Sequence, residues 1–204
     1  MRSVAPAPSA AARAARLVGL TLGYNVVEAV VALMAGVRSD SVALLGFGLD
    51  SVIESTASAI LLWRLAQERG GATPALVERA EATARRLVGW TFVALAAYVG
   101  TESVVALAAR EAAGVSAVGI VLAAVSLVVM PVLAWRKACL ARVLQSAALA
   151  AEAKETLACA YLSLCLLAGL GLHAAVGLWW ADPAAALLMV PWLLREGVEG
   201  VRGD

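Results

Sequence analysis

Charge is scarce in this sequence. Asp, Glu, Lys and Arg together make up 15% of its 204 residues, and its mean hydropathy of +0.87 lies outside the range of ordinary soluble domains. Histidine occurs once, at His173. No serine is placed with it to form a buried dyad and no zinc-protease motif is present, so nothing points to an enzyme. The three cysteines, Cys139, Cys159 and Cys165, show no paired spacing, which removes a disulfide framework. A net charge of +1 provides no basic field for nucleic acid.

What remains is a chain that is 62% hydrophobic, with its charges in short bands. Between the bands lie apolar stretches close to the roughly 20 residues a helix needs to cross a bilayer. Six are expected, near Leu17 to Val37, Ser41 to Trp63, Leu87 to Ala109, Val115 to Trp135, Ala147 to Leu170 and Ala181 to Gly197. The fold class is therefore all-α, a polytopic membrane protein with six transmembrane helices. Basic residues cluster before the first span (Arg2, Arg13, Arg16), between the second and third (Arg64, Arg69, Arg79, Arg85, Arg86), between the fourth and fifth (Arg136, Lys137, Arg142) and near the end (Arg195, Arg202), while the alternate side carries Arg38 and Arg110. By the positive-inside rule both termini are cytoplasmic, which demands the even number of crossings that the hydropathy gives independently.

The domain reading is a disordered Ala/Pro arm over 1–14, a membrane domain over 15–200 and a short tail over 201–204. The arm and first span do not form a signal peptide, because the apolar run is too long, contains Glu28 and lacks a cleavage site. The longest connection, Ala66 to Arg86, reads as a charged loop that is part helical.

An internal repeat appears when the second span is laid on the fifth. "SVALLGFGLDSVIESTASAILL" (41–62) and "SAALAAEAKETLACAYLSLCLL" (146–167), offset by 105 residues, share Ser41 with Ser146, Ala43 with Ala148, Leu44 with Leu149 and Ser58 with Ser163. The same offset puts Asp50 on Glu155 and Glu54 on Cys159. Because the copies are three spans apart, they run antiparallel through the bilayer, as in many secondary transporters whose site lies at the repeat interface.

A charge at the centre of a spanning helix costs on the order of 2.5–3.5 kcal/mol on insertion scales, so it faces a partner or a wet cavity. Asp50 lies roughly 14 Å from the start of its span at the helical rise. Asp50 and Glu54 share a helix face at i, i+4, as do Glu155 and Cys159. With the helices antiparallel, three carboxylates and a thiol can converge into a four-ligand divalent-cation site. Four negative charges against two positive would leave at least one ligand protonated, coupling protons to metal. Asn25 and Glu28 in span one, Glu102 in span three and Glu152 in span five are accessory or proton-path candidates. The same acids also fit a purely structural reading, with Lys154 beside Glu152 and Ser51, Ser55 and Thr156 hydrogen-bonding carboxylates. His173 fits an interfacial residue, and Gly19 and Gly23 a small-xxx-small helix contact.

With these residues in view, the chain resembles the cation diffusion facilitator family over about residues 15 to 200. "SDSVALLGFGLDSVIES" is similar to the family's second-span pattern with acids four apart. "SAALAAEAKETLAC" is similar to its fifth-span approach followed by His-x-x-x-Asp, and "ADP" at 181–183 is similar to the opening of its last span. The resemblance implies a six-helix domain with both ends inside, homodimerisation, and export of a divalent metal, most often zinc, in exchange for protons. Carried over position by position, it marks Asp50, Glu54, Glu155 and Cys159 as the transport site. Glu155 stands where the family has histidine and Cys159 where it has its second fifth-span aspartate, so zinc, manganese, iron and cobalt all stay open. The family's usual C-terminal cytoplasmic metal-binding domain is not seen in these residues, which suggests a short, divergent branch.

The expectation is a proton-coupled divalent cation antiporter working by alternating access in the cell (inner) membrane. Its partners would be lipid, metal ions, protons and a second copy of itself, with no nucleic acid and no prosthetic group. Two alternatives stand beside it: a proton-coupled exporter of organic cations, and a non-transporting membrane scaffold.

Overall fold

The computed structural model describes residues 8–69 and 74–202, and these form six α-helices: α1 (Pro8–Ser39), α2 (Val42–Arg69), α3 (Pro74–Ala109), α4 (Ala117–Leu144), α5 (Ala147–Val176) and α6 (Ala181–Arg202). The first five are long and apolar enough to cross a membrane. Charged residues at both ends of α6, Asp182 at one and Arg195 to Arg202 at the other, leave it a shorter apolar stretch. It completes the bundle by packing on α3 and α5.

The helices are longer than the apolar spans, because a helix satisfies its own backbone wherever its residues favour it, inside or outside lipid. Residues 8–14, read as part of a disordered arm, are Ala-rich and belong to α1; residues 1–7 lie outside the described residues. The expected 66–86 loop is largely the end of α2 and the start of α3, with Pro74 at the first helical position, where its missing N–H is harmless. Residues 70–73 lie outside the described residues. The α4 helix continues past Trp135 to Leu144, which places Lys137 in the body of a helix rather than in a loop. Of the expected 201–204 tail, Arg202 still ends α6, and 203–204 lie outside the described residues.

Short connections fix the up-and-down order. Gln145 in the left-handed region (φ 50°) ends α4, and Gly177 (φ 69°) ends α5 by donating its N–H to His173 O, the arrangement that satisfies a last-turn carbonyl. The repeated serines share one local role. Ser41 accepts from Leu44 N at 3.0 Å and Ser146 from Leu149 N at 3.3 Å, so each caps the helix that follows it.

The bundle packs as three pairs, α1 with α2, α4 with α5 and α3 with α6, and α2 meets α5 between them. Phe47, Leu44, Val99, Leu162, Leu166, Leu170 and Met189 are buried in one central core. At the α3–α6 crossing the backbones nearly touch: a Cβ on Gly89 would fall 2.6 Å from Val201 N, and one on Gly197 2.9 Å from Val93 N. Dispersion between closely approaching backbones is what holds helices together in lipid. Gly19 and Gly23, expected to form such a contact, meet nothing within 4 Å among the described residues. The outer faces carry exposed apolar side chains such as Leu20, Val27, Val128 and Trp135, the surface a lipid solvent requires.

Candidate functional site

The antiparallel placement of α2 and α5 brings Asp50, Glu54 and Cys159 together. One ligand atom from each lies within 4.8 Å of the others, and all three residues are buried. A tetrahedral cation with bonds of 2.0–2.3 Å holds its ligand atoms roughly 3.3–3.8 Å apart, so modest side-chain rotations close the triad around an ion. Asp50 and Glu54 reach the same point because they are one turn apart on α2, and Cys159 reaches it from the facing helix.

The α1 helix supplies a polar collar. Asn25 Nδ2 donates to Glu54 Oε2 at 2.9 Å, and Asn25 Oδ1 is buried without a partner among the described residues. Glu28, 1% exposed, accepts at Oε2 from Ser51 Oγ at 2.9 Å and from Cys159 Sγ at 3.6 Å. Its Oε1 accepts from Ser126 Oγ of α4, which in turn pairs with Tyr24 OH at 2.7 Å. A buried acid at this depth is thus held by three donors from three other helices, which offsets its desolvation. Asn25 and Glu28, three apart on one face of α1, each engage a different member of the triad.

Glu155 falls outside the triad. It is partly exposed and lines a cleft between α2, α3, α5 and α6. Glu152, one turn before Thr156, is tied to a residue in the body of α4, beyond the expected end of the fourth span. Lys137, fully buried, donates to Glu152 Oε1 at 3.0 Å and to Thr156 Oγ1 at 2.9 Å, and Ser58 adds a third contact to Glu152 Oε1 at 2.8 Å. Lys137, not Lys154, is the partner of Glu152; Lys154 is exposed. The signal was present in α4, whose buried positions Gly119, Ala123, Ser126, Met130, Ala134, Lys137 and Ala141 repeat every three or four residues and put Lys137 on the inward face. Ser126, on the same stripe, could have been found the same way.

Of the hydroxyls expected to serve carboxylates, Ser51 does so for Glu28, Ser55 instead donates to Ser51 O, and Thr156 serves Lys137. Ser51 and Thr156 are equivalent under the 105-residue offset, and each also donates to the carbonyl four residues earlier. Glu102 is exposed on α3 and joins none of these networks. His173 lies in the last turn of α5 with Nδ1 at 3.1 Å from Leu178 O.

Two buried carboxylates and a buried thiol are donor types that suit a divalent cation, and here they sit between helices rather than at the end of a spanning segment. A search of curated proteins finds no match for the chain. The model of the cation efflux transmembrane domain, which describes a family of cation transporters rather than enzymes, matches residues 19–202. The six-helix bundle and nearly the whole chain fall within that match, and the protein belongs to the cation efflux family.

Proposed function

We propose that the protein exports a divalent cation of the zinc type in exchange for protons, with Asp50, Glu54 and Cys159 as its transport ligands. The carrying observation is the mutual approach of these three side chains within 4.8 Å, all of them buried. A thiolate and two carboxylates suit zinc, cobalt or iron better than magnesium or calcium, since sulfur prefers the softer ions. The fourth position would be filled by water or by an oxygen from α1, and Asn25 Oδ1, buried and without a partner among the described residues, is a neutral candidate on the collar.

Proton exchange follows from the charge of the ligand set. Cys159 Sγ is placed to donate to Glu28 Oε2 at 3.6 Å, an arrangement that suits the protonated thiol. A thiol must lose that proton to bind metal, and carboxylates this close together cannot all remain ionised without a cation. Metal entry therefore expels protons, and protonation on the opposite face expels metal. Alternating access would rock the α1–α2 and α4–α5 pairs against each other around the site. Both termini are assigned to the cytoplasm of an inner-membrane protein by the charge bias, and a homodimer is the proposed assembly.

Cobalt tests the reading directly. Purified protein titrated with Co²⁺ should develop thiolate-to-cobalt charge-transfer absorption that Cys159→Ser removes, and proteoliposomes should move Co²⁺ and Zn²⁺ in a manner lost in Asp50→Ala. Transport by Asp50→Ala equal to the parent would sink the site assignment. Competition by lipophilic organic cations without any cobalt band would support organic-cation export instead.

A further inference from the structure

The "ADP" at 181–183, which opens α6, takes no part in the buried triad. An acid in the first turn of a helix ordinarily serves that helix's own N-terminus, but the Asp182 carboxylate reaches across to α2. Its Oδ1 accepts from Ser41 Oγ at 2.5 Å and its Oδ2 from Ala43 N at 3.4 Å. Ala43 N is among the first N–H groups of α2, which have no partner inside their own helix, and Ser41 Oγ accepts in turn from Leu44 N. Asp182, Ser41 and Ala43 are all buried. The turn that carries Ser41 is held on its other side too, where Ser39 O accepts from Gly114 N at 2.6 Å. The α1–α2 turn is thus fastened both to the start of α6 and to the α3–α4 connection.

From this clamp down to the triad the bundle is tightly packed. Leu44 and Phe47 of α2 and Leu166 and Leu170 of α5 are buried, Phe47 stands three residues before Asp50, and a Cβ on Gly169 would fall 2.6 Å from Ala185 Cβ of α6. A cation crossing that layer would exchange water for hydrocarbon, which is costly. The opposite end differs. A cleft of about 220 Å³ between α2, α3, α5 and α6 reaches Glu155, four residues or about 6 Å along the axis from Cys159. The two ends of the path are therefore unequal: apolar packing and a buried polar clamp shut one, while the other is open to within a helical turn of the ligands.

We infer that the Asp182–Ser41 clamp is the outer gate of the transporter, shut in this structure, whose release lets the α1–α2 pair tilt away from α6 and opens the triad to the face opposite the basic bands. The chemistry suits a latch. A hydrogen bond to a carboxylate is strong and directional while it is made, so it holds one conformer in register. Because the clamp lies at the end of the bundle, both partners regain water once it parts, and the open state carries no unpaired buried group. The inference rests on the transport reading above, since an outer gate has meaning only for a protein that alternates. It is measured without metal and without transport.

Cys159 is the reporter. Cys139→Ser/Cys165→Ser leaves it as the single thiol of the chain, and a trimethylammonium methanethiosulfonate, which does not cross lipid, is added to right-side-out spheroplasts for the clamp face and to inverted vesicles for the cleft face. In this background Cys159 should be modified faster from the cleft face. Adding Asp182→Ala should raise the clamp-face rate at least tenfold, or ~1.4 kcal/mol in the balance of the two conformers, while the cleft-face rate does not rise. Should Asp182→Ala not fold, Ser41→Ala removes the same hydrogen bond from the α2 side and is read by the same pair of rates. The inference is overturned if the clamp face is the faster one at the start, if the substitution leaves the clamp-face rate unchanged, or if both rates climb together as general loosening would make them. Failure here is separate from failure of the transport reading, which the Cys159-dependent cobalt band tests in the parent.

Discussion

Lys137→Met removes one partner of the buried pair and leaves the other in place. Lys137 is fully buried and the Glu152 side chain is 6% exposed, with Nζ and Oε1 3.0 Å apart. Breaking such a pair from one side typically destabilises by about 3–5 kcal/mol, because the remaining charge stays desolvated without compensation. Ser58 still donates to Glu152 at 2.8 Å, which places the expectation near the lower bound, about 3 kcal/mol. At 1.4 kcal/mol per tenfold, that raises the unfolding equilibrium constant by roughly a hundredfold. The assay is reversible denaturant unfolding in one detergent, followed by helical circular dichroism, for the parent, Lys137→Met, Glu152→Met and the double variant. The double variant should recover most of the loss, since apolar replacement of an entire buried pair is often neutral or stabilising. A Lys137→Met protein within about 1 kcal/mol of the parent, or a double variant less stable than both singles, would refute the reasoning.

Three further outcomes follow from the geometry. Asn25→Leu removes the amide that orients Glu54 and should weaken Co²⁺ binding by about 10–100-fold, as loss of an outer-shell partner does; a titration of the cobalt band reads it. Asp182, at the start of α6, accepts from Ser41 Oγ at 2.5 Å and from Ala43 N at 3.4 Å, tying two helix N-termini together. Asp182→Ala should destabilise by about 1 kcal/mol or more in the same unfolding assay. Gly197→Val forces a branched side chain into the Val93 backbone and should lower stability by roughly 1–3 kcal/mol, whereas Gly19→Val, with open space around it, should change it by no more than ~0.5 kcal/mol.

The polar pairs of α2 and α5 were legible in the sequence because i, i+4 spacing on a helix fixes a shared face, and the 105-residue offset set the two faces antiparallel. Asp50, Glu54 and Cys159 meet as that logic requires. Glu155 does not, because a face is wide and the crossing of α2 with α5 selects which turn points at which. The partner of Glu152 was misassigned for a related reason. Lys154 is near in sequence but points outward, while Lys137 approaches from another helix whose length the hydropathy profile cut short at Trp135.

Local chemistry therefore determined how many helices form, which faces of them are polar, which residue caps α2 and α5, and that a cluster of acids must be shielded from lipid. Those properties depend on helical periodicity and transfer energies, which act over a few residues. The tertiary structure alone decided that α1 brings Asn25 to Glu54 and Glu28 to Cys159, that Lys137 neutralises Glu152, and that Glu155 faces the cleft. Each of these depends on how different helices meet, set by how glycines and side chains let them cross, and no spacing within one helix encodes it.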